Sequence, residues 1–497
     1  MFDNAELGRS VSKEDYNEQS ESLCLELLEI QQKLRKAPFP VIVLFAGVDG
    51  AGKSETVNLL HEWMDPRWIG TRAFGKKQQE EEERPRFWRY WRALPRAGRI
   101  GILLSAWYSK PILDHVNGGK DRRLESDLEE IQGFERMLAN HGALILKFWM
   151  HLGKSAQKRR FKKLEKDPLQ SWRVTELDWK HYEQYEDFVA TAETVISRTS
   201  TGRAPWFIVE GADPRYRSLR VGELILGAIQ ERLQSNPEPE GESAARPASL
   251  LDSASPVLES APTVLDSIDL SADLGDKDYK RRLKEAQARL NRLHRKAHKK
   301  GVATLAVLEG WDAAGKGGAI RRVVQALDVS TARVYPFAAP SDEESAHHYL
   351  WRFWRHVPGA GEVALFDRSW YGRVLVERVE GFAREDEWER AYAEINHFER
   401  QLVDHGIVLL KFWVHLDPEE QLRRFKEREQ TPHKSWKLTD EDWRNRERWP
   451  DYARAVHDMV ERTSTRGAPW TLVAGNDKRN ARVTIVETLA NRLEEAL

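Results

Sequence analysis

Apolar residues along the 497-residue chain fall into two alternating rhythms. Short runs such as PVIVLFAG (40–47) and ATLAVLEG (303–310) read as buried strands, too short for helices and each ending in glycine. A helix-spaced stretch precedes each run, at about 13–36 and 277–300, and a glycine-rich turn opening another helix follows it. Further strands are predicted at GILLSAW (101–107), LILKFWMHL (144–152) and PWFIVEG (205–211). Their counterparts are EVALFDRSW (362–370), VLLKFWVHL (408–416) and PWTLVAG (469–475). Short apolar strands alternating with longer amphipathic helices predict an α/β fold with a mainly parallel sheet. None of the apolar runs approaches the length a bilayer requires.

The pattern is written twice. Of 19 tryptophans, 14 form pairs at a constant offset, including Trp107 with Trp370 at 263 residues and Trp149 with Trp413 at 264. RTSTGRAPW (198–206) matches RTSTRGAPW (462–470). The chain therefore reads as a tandem duplication, with one domain over 1–235, a linker over 236–276 and a second domain over 277–497. The linker is rich in Pro, Ser, Ala and acid and is expected to be flexible.

Charge changes meaning once the copies are separated. The total is −1, but the linker carries −8, which leaves +7 elsewhere. Residues 280–299 carry nine bases and one acid, whereas the aligned 17–36 carries four acids and three bases. Leu283, Ala286, Leu290 and Leu293 give the basic helix an apolar face, with its cations outward beside a phosphate-type turn. A long anion is the partner this arrangement favours. The single cysteine, Cys24, excludes an intrachain disulfide framework and any multi-cysteine metal site. The N-terminus lacks a basic segment followed by an apolar core, so a cytoplasmic protein is expected.

The turns carry the chemistry. GVDGAGKSE (47–55) and GWDAAGKGG (310–318) each join a strand to a helix, the context in which backbone N–H groups and a lysine cradle phosphate. The first copy has Ser54 where a hydroxyl ligand for Mg²⁺ belongs, and the second has Gly317. Asp49 and Asp312 lie inside the turns, where a carboxylate is tolerable beside phosphate if a cation stands between them. A strand-end acid is the second requirement; Asp367, followed by Arg368, meets it in the second copy, where the first has Leu104 and Ser105. Residues 416–443 read as an arginine-rich helix, a short loop and another helix, arranged like a kinase lid. Arg424 has a counterpart in Arg160, but Arg428 aligns with Leu164 and Lys434 with Gln170.

EGWDAAGKGG, the segment 339–382 and the lid at 416–443 resemble the polyphosphate kinase type 2 family. That family belongs to the P-loop kinases and is similar to thymidylate kinase, so the resemblance implies two three-layer αβα domains, each with a helical lid. The tandem form is similar to members that move the terminal phosphate of inorganic polyphosphate to AMP, giving ADP, with Mg²⁺ or Mn²⁺. In this chain the resemblance implies that Lys316 and the backbone of Gly310, Ala313, Ala314, Gly315, Gly317 and Gly318 hold the phosphates. Asp312 and Asp367 would organise the metal and the acceptor phosphate. Arg368, Arg424 and Arg428 would neutralise charge in the transition state, and Arg321, Arg322, Lys434 and Lys437 would contact the chain. The implied partners are polyphosphate and AMP, with no membrane and no specific nucleic acid. The alternatives on this scaffold are a polyphosphate-dependent diphosphate kinase making ATP from ADP and an ATP-dependent nucleotide kinase. The first copy is expected to be structural, forming an intrachain pseudo-dimer with the second, with Lys53 at most holding an anion.

Overall fold

The structure is a computed structural model that describes residues 1–235, 263–431 and 440–497. The chain divides into two compact units, one built mainly from the first copy and the other mainly from the second. Each contains a five-stranded sheet in which every pair is parallel.

In the first unit the strands are β1 (Val41–Gly47), β2 (Ile69–Ala73), β3 (Ile100–Leu104), β4 (Leu144–His151) and β5 (Trp206–Glu210), ordered β2-β3-β1-β4-β5. In the second they are β6 (Thr304–Gly310), β7 (Ala332–Pro336), β8 (Val363–Asp367), β9 (Val408–His415) and β10 (Trp470–Ala474), in the equivalent order. The central strands β1 and β6 are buried along nearly their whole length, which explains their unbroken apolar runs. Chain order reverses beside each central strand, and in open parallel sheets the crevice at such a reversal is where ligands bind. Both glycine-rich turns emerge there.

The edge strands β2 and β7 are absent from the sequence expectation. Four of the five residues in β2 are exposed, so IGTRA carries no apolar run to announce it. The strands expected to reach Trp107 and Trp370 instead stop at Leu104 and Asp367. Ser105 (φ 51°) and Arg368 (φ 66°) turn into the left-handed region there and break the ladder.

The opening helices form as expected, at Lys13–Leu34 and Asp276–Lys300. The second buries Ala286, Leu290, Leu293, His294 and Ala297, while Leu283 is half-buried. Part of its positive charge is neutralised by the last helix, Lys478–Glu495: Arg282 bonds Glu487 at 2.8 Å, and Arg289 pairs with Glu494.

One expectation needs correction. Residues 263–276, read as the end of a flexible linker, are held against the second unit. Thr263 caps a 3-10 turn at Val264–Ser267, Leu265 is buried, the Val264 N–H donates to His457 Nδ1, and the Leu274 N–H donates to Asp477. The first unit has the same strap at Phe2–Ala5, where Phe2 stacks on His151. Each repeat thus begins about 12 residues earlier than its helical periodicity shows. A four-residue turn anchored by one apolar side chain leaves almost no periodic trace. Residues 236–262 lie outside the described residues. Among the described residues no helix is long and apolar enough to cross a membrane.

Candidate active site

In the second unit, Gly310 ends β6 with φ 150°, and a Cβ there would lie 2.5 Å from the Val414 carbonyl of β9. Glycine is thus the residue that lets the chain leave the sheet and wrap a ligand. The loop passes through Ala313 (φ 63°) and Gly315 (φ 107°) into the helix Lys316–Val324, whose N-terminal N–H groups and positive dipole end face outward. Trp311 anchors it. The indole N–H donates to His415 Nδ1 at 2.9 Å, and the ring stacks on Trp449 with centroids 3.6 Å apart. Burial pushes the His415 pKa down to about 4, so the imidazole is neutral and its Nδ1 is free to accept.

A cavity of about 910 Å³ opens over this loop. Its wall brings together Asp312, Ala313, Ala314, Gly315, Lys316, Gly317 and Gly318 from the loop and helix with Asp367, Arg368, Arg321, Arg322 and Arg428. Arg482, Glu441, Asp442 and Asn445 also line it, and none of these four was expected from the sequence. The lining contains six cations and four acids. Lys316 Nζ donates to the Gly310 and Trp311 carbonyls at 2.5 and 3.2 Å. The Asp312 carboxylate accepts from Arg368 at 3.2 Å and from Asn445 at 2.9 Å, tying the loop to the strand end and to the helix Asp440–Glu447. Lys434 and Lys437 fall outside the described residues.

Arg424 is placed differently from its expected role. It is 2% exposed, and its guanidinium is spent on the fold. Nη1 donates to the Ala313 and Ala314 carbonyls, Nη2 to Gly475 and Asn476, and Nε to Glu420. It clips the phosphate loop to the end of β10 and does not line the cavity.

Glu309 is another residue that sequence reasoning passed over. The last residue before Gly310, it is buried and accepts from Ser369 Oγ at 2.8 Å. Burial pushes its carboxyl pKa up. The pair links the start of the loop to the residue after Arg368. A signal was available, because the aligned positions of the first copy are Ala46 and Ala106, and an acid inside an apolar strand is costly unless partnered.

The first unit builds the same turn and fills it differently. Lys53 Nζ donates to the Gly47 and Val48 carbonyls, and Asp49 bonds His181 where Asp312 bonds Asn445. Leu104 ends β3, so no strand-end carboxylate faces the turn. Arg217, from the helix Pro214–Ser235, performs the clipping that Arg424 performs in the second unit, with Nη1 directed to the Ala51 and Gly211 carbonyls.

Comparison with known proteins agrees with this geometry. The family profile for Polyphosphate kinase 2 (PPK2) matches residues 10–237 and 273–497. A polyphosphate:AMP phosphotransferase from Pseudomonas aeruginosa is 50% identical over 499 aligned residues, covering 100% of this chain and 99% of the relative. Another from Acinetobacter johnsonii is 36% identical, covering 95% and 96%. A solved polyphosphate kinase 2 structure from Pseudomonas aeruginosa superposes with a TM-score of 0.87 at 47% identity, covering 100% of this chain and 99% of its own. With both repeats matched, two parallel sheets switching order at a phosphate loop, and relatives aligned from end to end, the chain belongs to the polyphosphate kinase 2 family, whose fold is that of the P-loop kinases.

Proposed function

We propose that this protein transfers the terminal phosphate of inorganic polyphosphate to AMP, giving ADP, and that the second unit performs the transfer. The observation that carries the reading is the convergence of the phosphate loop, Asp312, Asp367 and six cations on one cavity. The full-length relatives named as polyphosphate:AMP phosphotransferases support the same donor and acceptor.

The donor chain lies along the loop, with its terminal phosphates at the N–H groups that open the Lys316–Val324 helix. Lys316 exchanges its two carbonyl partners for phosphate oxygens. Arg321, Arg322 and Arg482 compensate the charge of the following phosphates. The AMP phosphate is already ionised at neutral pH, so positioning and charge compensation suffice without a strong base. Arg368, braced by Asp312, and Arg428 stabilise charge spread over the transferring oxygens. Arg424 and Glu309 act as positioning residues, holding the loop and the strand end in register.

The donor set fits Mg²⁺. Among the described residues no group of three or more His, Cys, Asp or Glu forms a protein-only metal cage. Mg²⁺ commonly takes one or two carboxylates and completes its octahedron with phosphate and water. Asp312 and Asp367 provide those carboxylates. When bound there, Mg²⁺, or Mn²⁺ in its place, neutralises the phosphates being transferred. The first unit lacks the second carboxylate, and its role is structural.

Purified protein supplied with polyphosphate, Mg²⁺ and AMP is expected to form ADP. ADP formed only when ATP is the donor would overturn the reading. Faster conversion of ADP to ATP than of AMP to ADP would move it to the diphosphate-kinase alternative.

A further inference from the structure

Glu55 is the third residue of the phosphate-loop helix Lys53–Trp63, at the position that Gly318 occupies in the second unit. Its carboxylate is gripped by three guanidinium groups from three separate elements. Arg160, on the helix Lys154–Glu165, bonds Oε1. Arg173, in a 3-10 turn, reaches the same oxygen at 2.8 Å. Arg217, on the helix Pro214–Ser235, takes Oε2 at 2.8 Å. Arg217 is itself 2% exposed and lies hard against the loop: a Cβ on Gly52 would meet its Nη1 at 2.0 Å. Burial pushes the Glu55 pKa up, but the Arg160 and Arg217 charges more than reverse this, so the group stays ionised.

Three guanidinium groups converging on one small anion form the coordination that a phosphoryl group receives. In the second unit the same position has no side chain. Gly318 faces the open cavity, with Arg482 3.1 Å from where a Cβ would stand. The clip explains how Arg160 is free for the task. Arg424, its counterpart, is consumed by loop carbonyls, whereas in the first unit Arg217 supplies that clip and Arg160 turns to Glu55.

We propose that Glu55 is a built-in ligand that occupies the phosphate site of the first unit and closes it to polyphosphate. Removing its carboxylate turns Arg160, Arg173, Arg217 and Lys53 into a second binding site for inorganic oligophosphates. This rests on the reading above that only the second unit turns over.

The test is calorimetric titration of the full chain with inorganic tripolyphosphate at physiological salt. Wild type is expected to bind one equivalent and Lys316→Ala none. Glu55→Gly, which recreates the glycine of the second copy, is expected to bind two and to retain ADP formation within about twofold. A wild-type chain that binds two equivalents, one of them lost in Lys53→Ala, overturns the proposal. So does a folded Glu55→Gly that still binds one. Should Glu55→Gly fail to fold, the Lys316→Ala titration alone decides, since binding by that chain would mean the first site is open. ADP formation is read separately, so loss of the polyphosphate:AMP reading registers as absent turnover with these stoichiometries unchanged.

Discussion

In the first copy the buried Lys147 ammonium donates to Glu135, the Tyr108 hydroxyl and the Thr199 carbonyl; in the second, Lys411 makes the same three bonds to Glu399, Tyr371 and Thr463. The lysine–carboxylate distance is 2.7 Å in both. Around the phosphate loops this agreement ends. Ala46 stands against Glu309, Gly50 against Ala313, Glu55 against Gly318, Leu104 against Asp367 and Leu164 against Arg428. The second copy accepts a buried acid and a left-handed alanine, and each of these costs stability. The first copy has alanine and glycine at those positions and is relieved of both costs. The buried lysine–carboxylate network is thus the same in both copies, whereas the buried acid and the left-handed alanine stand only beside the open cavity of the second.

The shared network supplies the largest expected effect. Lys147→Met and Lys411→Met should each lose about 3–5 kcal/mol, because each leaves a carboxylate buried without its cation. Denaturant melts that show a large loss for one and none for the other would break the symmetry. Turnover should be lopsided instead. Lys316→Ala or Asp367→Asn is expected to lower the rate of ADP formation by at least about 10²-fold, while Lys53→Ala leaves it within about twofold. Equal losses from Lys53→Ala and Lys316→Ala would refute the division of labour.

Acid should distinguish the copies next. The unfolded chain takes up a proton at His415 near pH 6.5, whereas the folded state resists until about pH 4. More protons bound when unfolded means that stability rises with pH across this window. The stabilisation is therefore complete above pH 6.5 and lost on descending to pH 4, by about 3 kcal/mol. His151 is also pushed down by burial but has Glu6 2.9 Å away to oppose it, so the first unit should be less steep. Denaturation followed against pH in wild type and His415→Gln checks this, since the variant should lose the slope.

The smallest effect runs in the opposite sense. The hydrogen bond to Asp49 raises the His181 pKa, so its stabilisation is present at acid pH and lost as pH rises through the folded value above 6.5. Less than about 1 kcal/mol is expected, because the pair is partly solvated. His181→Asn, which copies the Asn445–Asp312 contact, should flatten the stability profile above pH 6.5.

The duplication, the α/β alternation, the buried strands, both phosphate turns and the absence of an acid at Leu104 were legible in the sequence. All are written in short contiguous patterns, where side-chain period and glycine placement act on the local backbone. Only the tertiary structure decided which arginine does what. Arg424 and Arg160 sit at equivalent places on equivalent helices, yet one clips a loop and the other grips Glu55. The difference is made by Arg217, 162 residues from Glu55, and by a glycine-to-glutamate change that means nothing until the arginines surround it. A guanidinium is committed by the carbonyls and carboxylates within about 3 Å of it, and no local pattern records which distant segments the fold will bring that close.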